Sequence, residues 1–442
     1  MLTTEDNDLL TRTGPGTPMG AFMRLHWIPF ARSQDLPASG ERPLRIKLLG
    51  EKLVAFRDGQ GKVGVLHELC PHRRASFAYG RCEPEGVRCM YHGWKFDVTG
   101  QCLDTPTEPE DSQISRRLRH PAYMVRERNG VLWVYMGDQQ TGAETPLPDM
   151  EFNLVPADQT FISLRVQHCN WLQALEGSLD SAHAPLLHGR IDGHKHTGHF
   201  GIGNRPRFEV QDKEYGVMVG AKRPYSEPGT VHWRINQFLM PFYTLVPPME
   251  ADPVINGQAW VPMDDEHTIV FMFAYHPSEP FPPSSLGLYR DGRRDGTDSG
   301  FMTARWRLPH QAGKPYPDFW PALNVDNDYG YDAERQRTRY FSGIPGIWPQ
   351  DSAAQESMGA VVDRRFEHLG TTDAGIARMR RCLLRSVRAF QQEKETPATA
   401  RHAAAYRVRP VGLVSAEPNA SMEDATGAFA SRFQKDYGYA PV

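Results

Sequence analysis

Three of the chain's six cysteines lie between residues 70 and 94, and two of them open short pairs with histidine: Cys70-Pro71-His72 and Cys89-Met90-Tyr91-His92. Thiolate and imidazole are metal-ligand types, and two chemistries compete for this set. A structural zinc site usually pairs like with like, Cys-x₂₋₄-Cys followed by His-x₃₋₅-His. Here each short motif contributes one cysteine and one histidine, with residues 73–88 between them. Two loops of this kind can give one sulfur each to one iron of a [2Fe–2S] cluster and one nitrogen each to the other. Neutral imidazoles in place of thiolates lower the negative charge and raise the potential above that of an all-cysteine cluster. Cys82 and Cys102 could make a four-cysteine site with Cys70 and Cys89, but both histidines would then go unexplained. Cys82 and Cys102 therefore read as packing residues.

A second group stands in "EGSLDSAHAPLLHG": Asp180, His183 and His188. On a helix Asp180 and His183, i and i+3, share a face. His183 and His188, i and i+5, diverge unless Pro185 between them breaks the helix and lets both rings turn to one point. The plain alternative is two ordinary histidines on a partly buried helix. Further on, "GHKHTGH" holds His194, His196 and His199, which read as a solvated loop rather than a third metal site. Arg207 and Arg234 lie among aromatic residues and could clamp a carboxylate; the competing reading is exposed arginine.

These residues need elements to hold them. From Arg45, "LRIKLLG", "KLVAFRD" and "KVGVLHELC" are short β-rich runs, the last two separated by Gly59-Gln60-Gly61, a hairpin signal. Residues 45–138 read as a small all-β domain with the Cys/His pairs on its loops, and residues 1–44 as an irregular segment wrapping the core. After a polar linker, residues 150–442 mix classes. Residues 170–189 read as a helix interrupted at Pro185. "PRFEV", "VHWRINQFLMPFYTLV", "GQAWVPM" and "TIVFMFAY" read as strands. "TTDAGIARMRRCLLRSVRAFQQEKE" reads as a helix capped at Thr372 or Asp373, with Ile376, Met379, Leu383, Leu384, Val387 and Phe390 on one face. The fold class is α+β, an antiparallel sheet with helices on it.

The whole chain sets bounds. Its 442 residues exceed one ordinary core, and a formal net charge of −3 gives no reason to expect nucleic acid. The acidic start, MLTTEDNDLL, is not a secretory signal, and no apolar run spans a bilayer. Six cysteines are too few for a disulfide framework, so a reducing cytoplasm is expected. No G-x-G-x-x-G fingerprint marks a dinucleotide site.

"CPHRRASFAYGRCEPEGVRCMYHGWKFDVTGQC" resembles the Rieske motif of non-haem iron oxygenases that hydroxylate aromatic rings. "TPMGAFMRLHWIPFA", "NWLQALEGSLDSAHAPLLH" and "QDSAAQESMGAVVDRRFEHLGTTDAGIARMRR" extend the likeness over nearly the whole chain, most closely to the phthalate 4,5-dioxygenase and phenoxybenzoate dioxygenase group. The resemblance implies a Rieske domain beside a helix-grip-like catalytic domain. It assigns the [2Fe–2S] cluster to Cys70, His72, Cys89 and His92, and makes His183 and His188 ligands of a mononuclear Fe(II) in a 2-His-1-carboxylate triad. Asp351, Glu356 and Asp363 are candidates for the carboxylate; Asp351 matches the family's placing best, with Asp363 next. Asp180 is carried over as the bridge between His183 and the Rieske histidine, His92, of a neighbouring subunit, which implies a homotrimer or hexamer. Electrons would come from NADH or NADPH through a separate reductase with FMN and a plant-type [2Fe–2S] centre. The implied reaction uses O₂ to turn an aromatic carboxylate or diaryl ether into a cis-dihydrodiol. The alternatives are a Rieske monooxygenase that removes O-methyl groups or cleaves aryl ethers, and an electron carrier or zinc-stabilised binding protein.

Overall fold

The computed structural model describes residues 2–38, 40–192, 205–248, 254–291 and 301–432. His194, His196 and His199 lie outside them. Among the described residues three antiparallel sheets organise the chain. The first has six strands in the order Trp27–Arg32, Val131–Tyr135, Ala122–Arg128, Val63–His67, Glu51–Arg57 and Leu44–Leu48. The Leu44–Leu48 strand shows why it forms: Leu44, Ile46 and Leu48 are buried and Arg45 and Lys47 are not, the period-two pattern of a strand with one face inward. The second sheet is four short strands, Arg81–Glu83, Gly86–Arg88, Lys95–Phe96 and Cys102–Asp104. It has its own small core of Val54, Phe56, Leu66, Phe77, Val87, Phe96 and the four cysteines between 70 and 102.

The N-terminal stretch corrects the sequence reading. It is not irregular: it carries helices Thr4–Thr11 and Pro18–Met23 and the Trp27–Arg32 strand. The signals were present. Thr3 and Thr17 cap the helices by accepting from Asp6 and Gly20 N–H, and Pro18 stands in the first turn of the second.

The third sheet has eight strands. Seven follow the order Thr160–Gln167, Thr268–Tyr275, Ile255–Pro262, Tyr243–Val246, Val231–Leu239, Gly216–Pro224 and Arg207–Lys213, and Val411–Ser415 pairs Val231–Leu239. Met422–Arg432 packs on it near Val411–Ser415, and two further helices bear on the site. Trp171–Leu179 lies over the middle strands, and Ala374–Glu393 over Arg207–Lys213 and Gly216–Pro224. The latter buries Ile376, Met379, Leu383, Leu384 and Val387, the expected face. One apolar core runs from the first sheet into the third, from Leu10 and Trp133 through Val166 to Leu383.

The Trp171–Leu179 helix starts on Asn170, whose side chain accepts from Leu172 N–H while its amide donates to Thr11 and Asp265 carbonyls. Gly177 brings in the Ile347–Glu356 helix: a Cβ there would lie 2.1 Å from Gln355 Nε2. Among the described residues no helix is long and apolar enough to cross a membrane.

Candidate metal centres

The two Cys/His loops are built alike. Cys70 N–H donates to Ala75 O and Arg74 N–H returns to Cys70 O; Cys89 N–H donates to Trp94 O and Gly93 N–H returns to Cys89 O. Each cysteine thus closes a tight turn that brings its histidine alongside. The rings of His72 and His92 lie 4.5 Å apart, and His72 stacks on Trp94 at 4.3 Å with planes 4° apart. Arg88 braces the second loop by donating to Gly93 O, Glu83 and Asp104. The sulfurs of Cys70 and Cys89 lie against each other. Cys89 is pulled down to about 6 by the Cys70 thiol, with the N–H groups of Tyr91 and His92 adding to the effect. His72 N–H points at Cys70 in the same way.

The fit to a [2Fe–2S] cluster can be tested on one atom. His72 Nδ1 is buried with no hydrogen-bond partner, a costly state for a ring nitrogen unless a metal takes it. Two abutting thiols, backbone N–H groups aimed at sulfur and this orphaned nitrogen suit a Cys₂His₂ cluster. Cys82 and Cys102 are buried in the small core.

The second constellation departs from the helix expected. Trp171–Leu179 ends at Asp180, before Pro185, and a separate short helix, Ala184–Leu187, follows with Pro185 in its first turn. The break is made by Asp180, whose Oδ1 accepts from Ala182 N–H at 2.6 Å, the local bond by which aspartate competes with helix. Asp180 and His183 therefore meet across a turn: His183 Nδ1 is 3.3 Å from Asp180 Oδ2. His188 Nδ1 is 2.7 Å from Gln350 Oε1, and Gln350 in turn donates to Ile344 O. With both Nδ1 atoms held, both Nε2 atoms face inward, 3.3 Å apart. Asp351 Oδ1 completes a triangle at 3.5 Å from His183 Nε2 and 3.4 Å from His188 Nε2.

Ligand bonds of about 2.0–2.2 Å at right angles leave donors roughly 3 Å apart, so three atoms at this spacing can cap one face of a divalent ion. Electrostatics agrees. Burial lowers His183, but Asp180 and Asp351 outweigh it and hold the ring protonated up to about 10, a proton standing where a cation is wanted. Burial likewise opposes the Asp351 charge, and the two histidines override it and keep the carboxyl well below its usual range. Asp363 is not at this site: it is half-buried and paired with Arg365 at 2.6 Å. Glu356 faces away, accepting from Tyr329 OH at 2.6 Å and His168 N–H at 3.2 Å.

Three residues near the site escaped the sequence reading. Gln350 had one signal, its place beside Asp351. Arg223 is fully buried and donates from Nη2 to Ser181 O at 2.6 Å, with its charge near Asp180 and its Nε and Nη1 without partners. Arg165 is buried between Trp260 and Trp348, 5.9 Å from each ring, and its charge faces Asp351 and Glu356. The Arg207–Arg234 clamp is not formed. Phe208, Ala221 and Arg234 are in register across three strands, so Arg207, next to Phe208, projects from the opposite face. Arg207 is exposed and Arg234 buried, with Arg223 as its charged neighbour. Trp233, Phe238, Tyr243 and Trp260 are buried sheet residues, and Phe242 is buried in the turn before Tyr243.

A family model described as Rieske [2Fe-2S] domain matches residues 26–123. One described as LigXa C-terminal domain like matches residues 134–285 and 295–414. The 3-chlorobenzoate-3,4-dioxygenase oxygenase subunit of Comamonas testosteroni is 37% identical over 403 residues, 90% of this chain and 91% of that one. The phthalate 4,5-dioxygenase oxygenase subunit of Pseudomonas putida is 35% identical, covering 92% and 91%. The 5,5'-dehydrodivanillate O-demethylase oxygenase subunit of a Sphingobium species is 29% identical, covering 94% and 87%. In fold, the chain overlays the terminal oxygenase of carbazole 1,9a-dioxygenase from Nocardioides aromaticivorans with a TM-score of 0.54 at 18% identity, covering 86% and 99%.

Proposed function

Because this chain belongs to the Rieske non-haem iron oxygenases as an oxygenase subunit, an oxidoreductase that incorporates O₂, we propose that it dihydroxylates an aromatic carboxylate to a cis-dihydrodiol. The reading rests on one juxtaposition: a Cys/His pair of loops with an orphaned imidazole nitrogen, and a separate His183–His188–Asp351 triangle, on the same chain. Cys70, His72, Cys89 and His92 would hold the cluster, and His183, His188 and Asp351 the mononuclear iron. When bound, these groups supply single electrons and open coordination positions for O₂.

The chain's own residues do the positioning. Asp180 and Gln350 hold the Nδ1 atoms of His183 and His188, so the rings keep one tautomer and one direction. Asp180 also carries the proton link to the neighbouring subunit's His92. Arg223 lies near that carboxylate, which stays charged against its burial through His183 and the N–H groups of Ala182 and His183. Arg165 and Arg223, buried near the triangle, favour an anionic substrate, in keeping with the chlorobenzoate and phthalate enzymes named above. We place the electron-entry unit at 45–138, wrapped by 1–44, and the oxygen-activating unit at 150–442. Electrons would enter from a separate NAD(P)H-dependent reductase carrying FMN and a plant-type [2Fe–2S] centre, in the cytoplasm.

A closed ring of subunits fits the surface. Met90 and Tyr91, exposed by 69% and 51%, immediately precede His92; Leu186 and Ile191, exposed by 44% and 50%, bracket His188 in the chain, and Phe341, exposed by 53%, donates its N–H to Gly189 O. Two different apolar patches can join head to tail, and such contacts make a ring where the rotation between subunits closes. A trimer, or two stacked trimers, is the assembly proposed.

Purified protein should carry three irons, two in the cluster and one mononuclear, with two acid-labile sulfides per chain. Asp351→Ala should lose only the mononuclear iron. Turnover of benzoate or phthalate under ¹⁸O₂ with a surrogate reductase should put both labelled atoms in the product. Iron retained in full by the Asp351 variant would remove that residue from the site. A single labelled atom would favour the monooxygenase reading, which the O-demethylase likeness supports. Two irons, or zinc, would leave only a carrier or binding protein.

A further inference from the structure

Between the first and third sheets opens a cleft of about 970 Å³ that shares no residue with either metal constellation. Among the described residues its walls carry Arg32, Arg57, Arg290 and Arg307 and no acidic side chain, while Phe161 and Leu286 give it an apolar side. Three of the arginines are occupied. Arg32 forks onto Asp35 at 2.6 and 2.8 Å and also reaches Ile162 O. Arg57 donates to Ser33 Oγ and Gly61 O, and Arg290 pairs with Asp291.

Arg307 differs. Its guanidinium lies 5.0 Å from the Phe319 ring, with that of Arg32 at 5.8 Å from the same ring. Its Nε is buried with no hydrogen-bond partner, and among the described residues no ion pair reaches its side chain. Burial and the Arg32 charge both work against it, with Asp35 and Asp318 only partly compensating. A half-buried guanidinium beside another cation, without an acceptor, is an expensive arrangement that an arriving anion would relieve.

We propose that this cleft is a second ligand site, distinct from the iron pocket, that takes an organic carboxylate with an apolar body. The carboxylate pairs with Arg307 and the hydrocarbon lies against Phe161 and Leu286. The volume is that of a small-molecule site, and an apolar wall opposite a free cation selects against a bare hydrophilic anion.

The test is equilibrium dialysis of radiolabelled benzoate against the iron-loaded protein. Wild type should show two classes of site. Arg307→Gln should weaken one class at least about tenfold, the scale of one lost charge-assisted contact, and leave the other unchanged. Arg307→Lys should keep most of the binding. Leu286→Glu, on a different element, should abolish the same class, so the outcome does not hang on one variant folding. A wild-type isotherm with no class sensitive to Arg307, or isotherms of either folded variant that superimpose on wild type, would overturn the proposal. So would displacement of that class by inorganic phosphate as readily as by unlabelled benzoate. Loss of iron from the preparation would remove the other class and not this one.

Discussion

At the scale of single residues, the site depends on which nitrogen of each imidazole faces the triangle. Asp180 and Gln350 settle that by holding Nδ1 of His183 and His188. Asp180→Asn keeps the shape and removes the charge. It should leave three irons per chain while cutting coupled product formation at least about a hundredfold, on the scale of losses when a ligand's supporting partner is changed; product at wild-type rates would discard the role. The Cys/His pairs were readable because each pair acts within a few residues, so spacing carries the information. Gln350 and Arg223 were not, since what they touch is set by contacts 162 and 42 residues away in sequence.

At the scale of elements, the Trp171–Leu179 helix has to present Asp180 at its end, and a buried charge network anchors it. Glu176 accepts from Arg380 Nε at 2.6 Å and Arg364 Nη2 at 3.0 Å, and Arg380 also holds Glu367. Burial opposes the Glu176 charge, but the two arginines win and keep its carboxyl below the usual range. Glu176→Gln would strand positive charge in the interior. It should destabilise the protein by roughly 3–5 kcal/mol, read as a lower thermal midpoint against wild type; an unchanged midpoint would mean the network is slack. The long Ala374–Glu393 helix was legible from its apolar stripe. The break before His183 was misplaced, because the eye goes to Pro185, whereas the competing bond is one carboxylate oxygen to Ala182 N–H. Strand runs were also legible, but the faces of Arg207 and Arg234 follow from register across three strands, which no local pattern encodes.

At the scale of the whole molecule, the proposed ring makes a prediction no single chain can satisfy. A His92→Ala chain lacks a cluster ligand and an Asp351→Ala chain lacks an iron ligand, so homogeneous preparations of either should be inactive. Co-assembled from both, rings that place a working cluster beside a working iron should regain a measurable fraction of turnover. Mixed assemblies that stay silent, although both variants are incorporated, would place electron transfer within one chain.

The Trp27–Arg32 strand, paired along Val131–Tyr135, has a practical consequence. The β-rich text begins near Leu44, and that is where a fragment of the domain would naturally be cut. Such a cut would strip the cover from Val131–Tyr135, a run buried at every position. A bare, apolar border of unsatisfied amides and carbonyls templates clumping between molecules. The opening residues therefore act as a lid on an adhesive seam, and shortened versions of this protein would be expected to precipitate before their metal content could be judged.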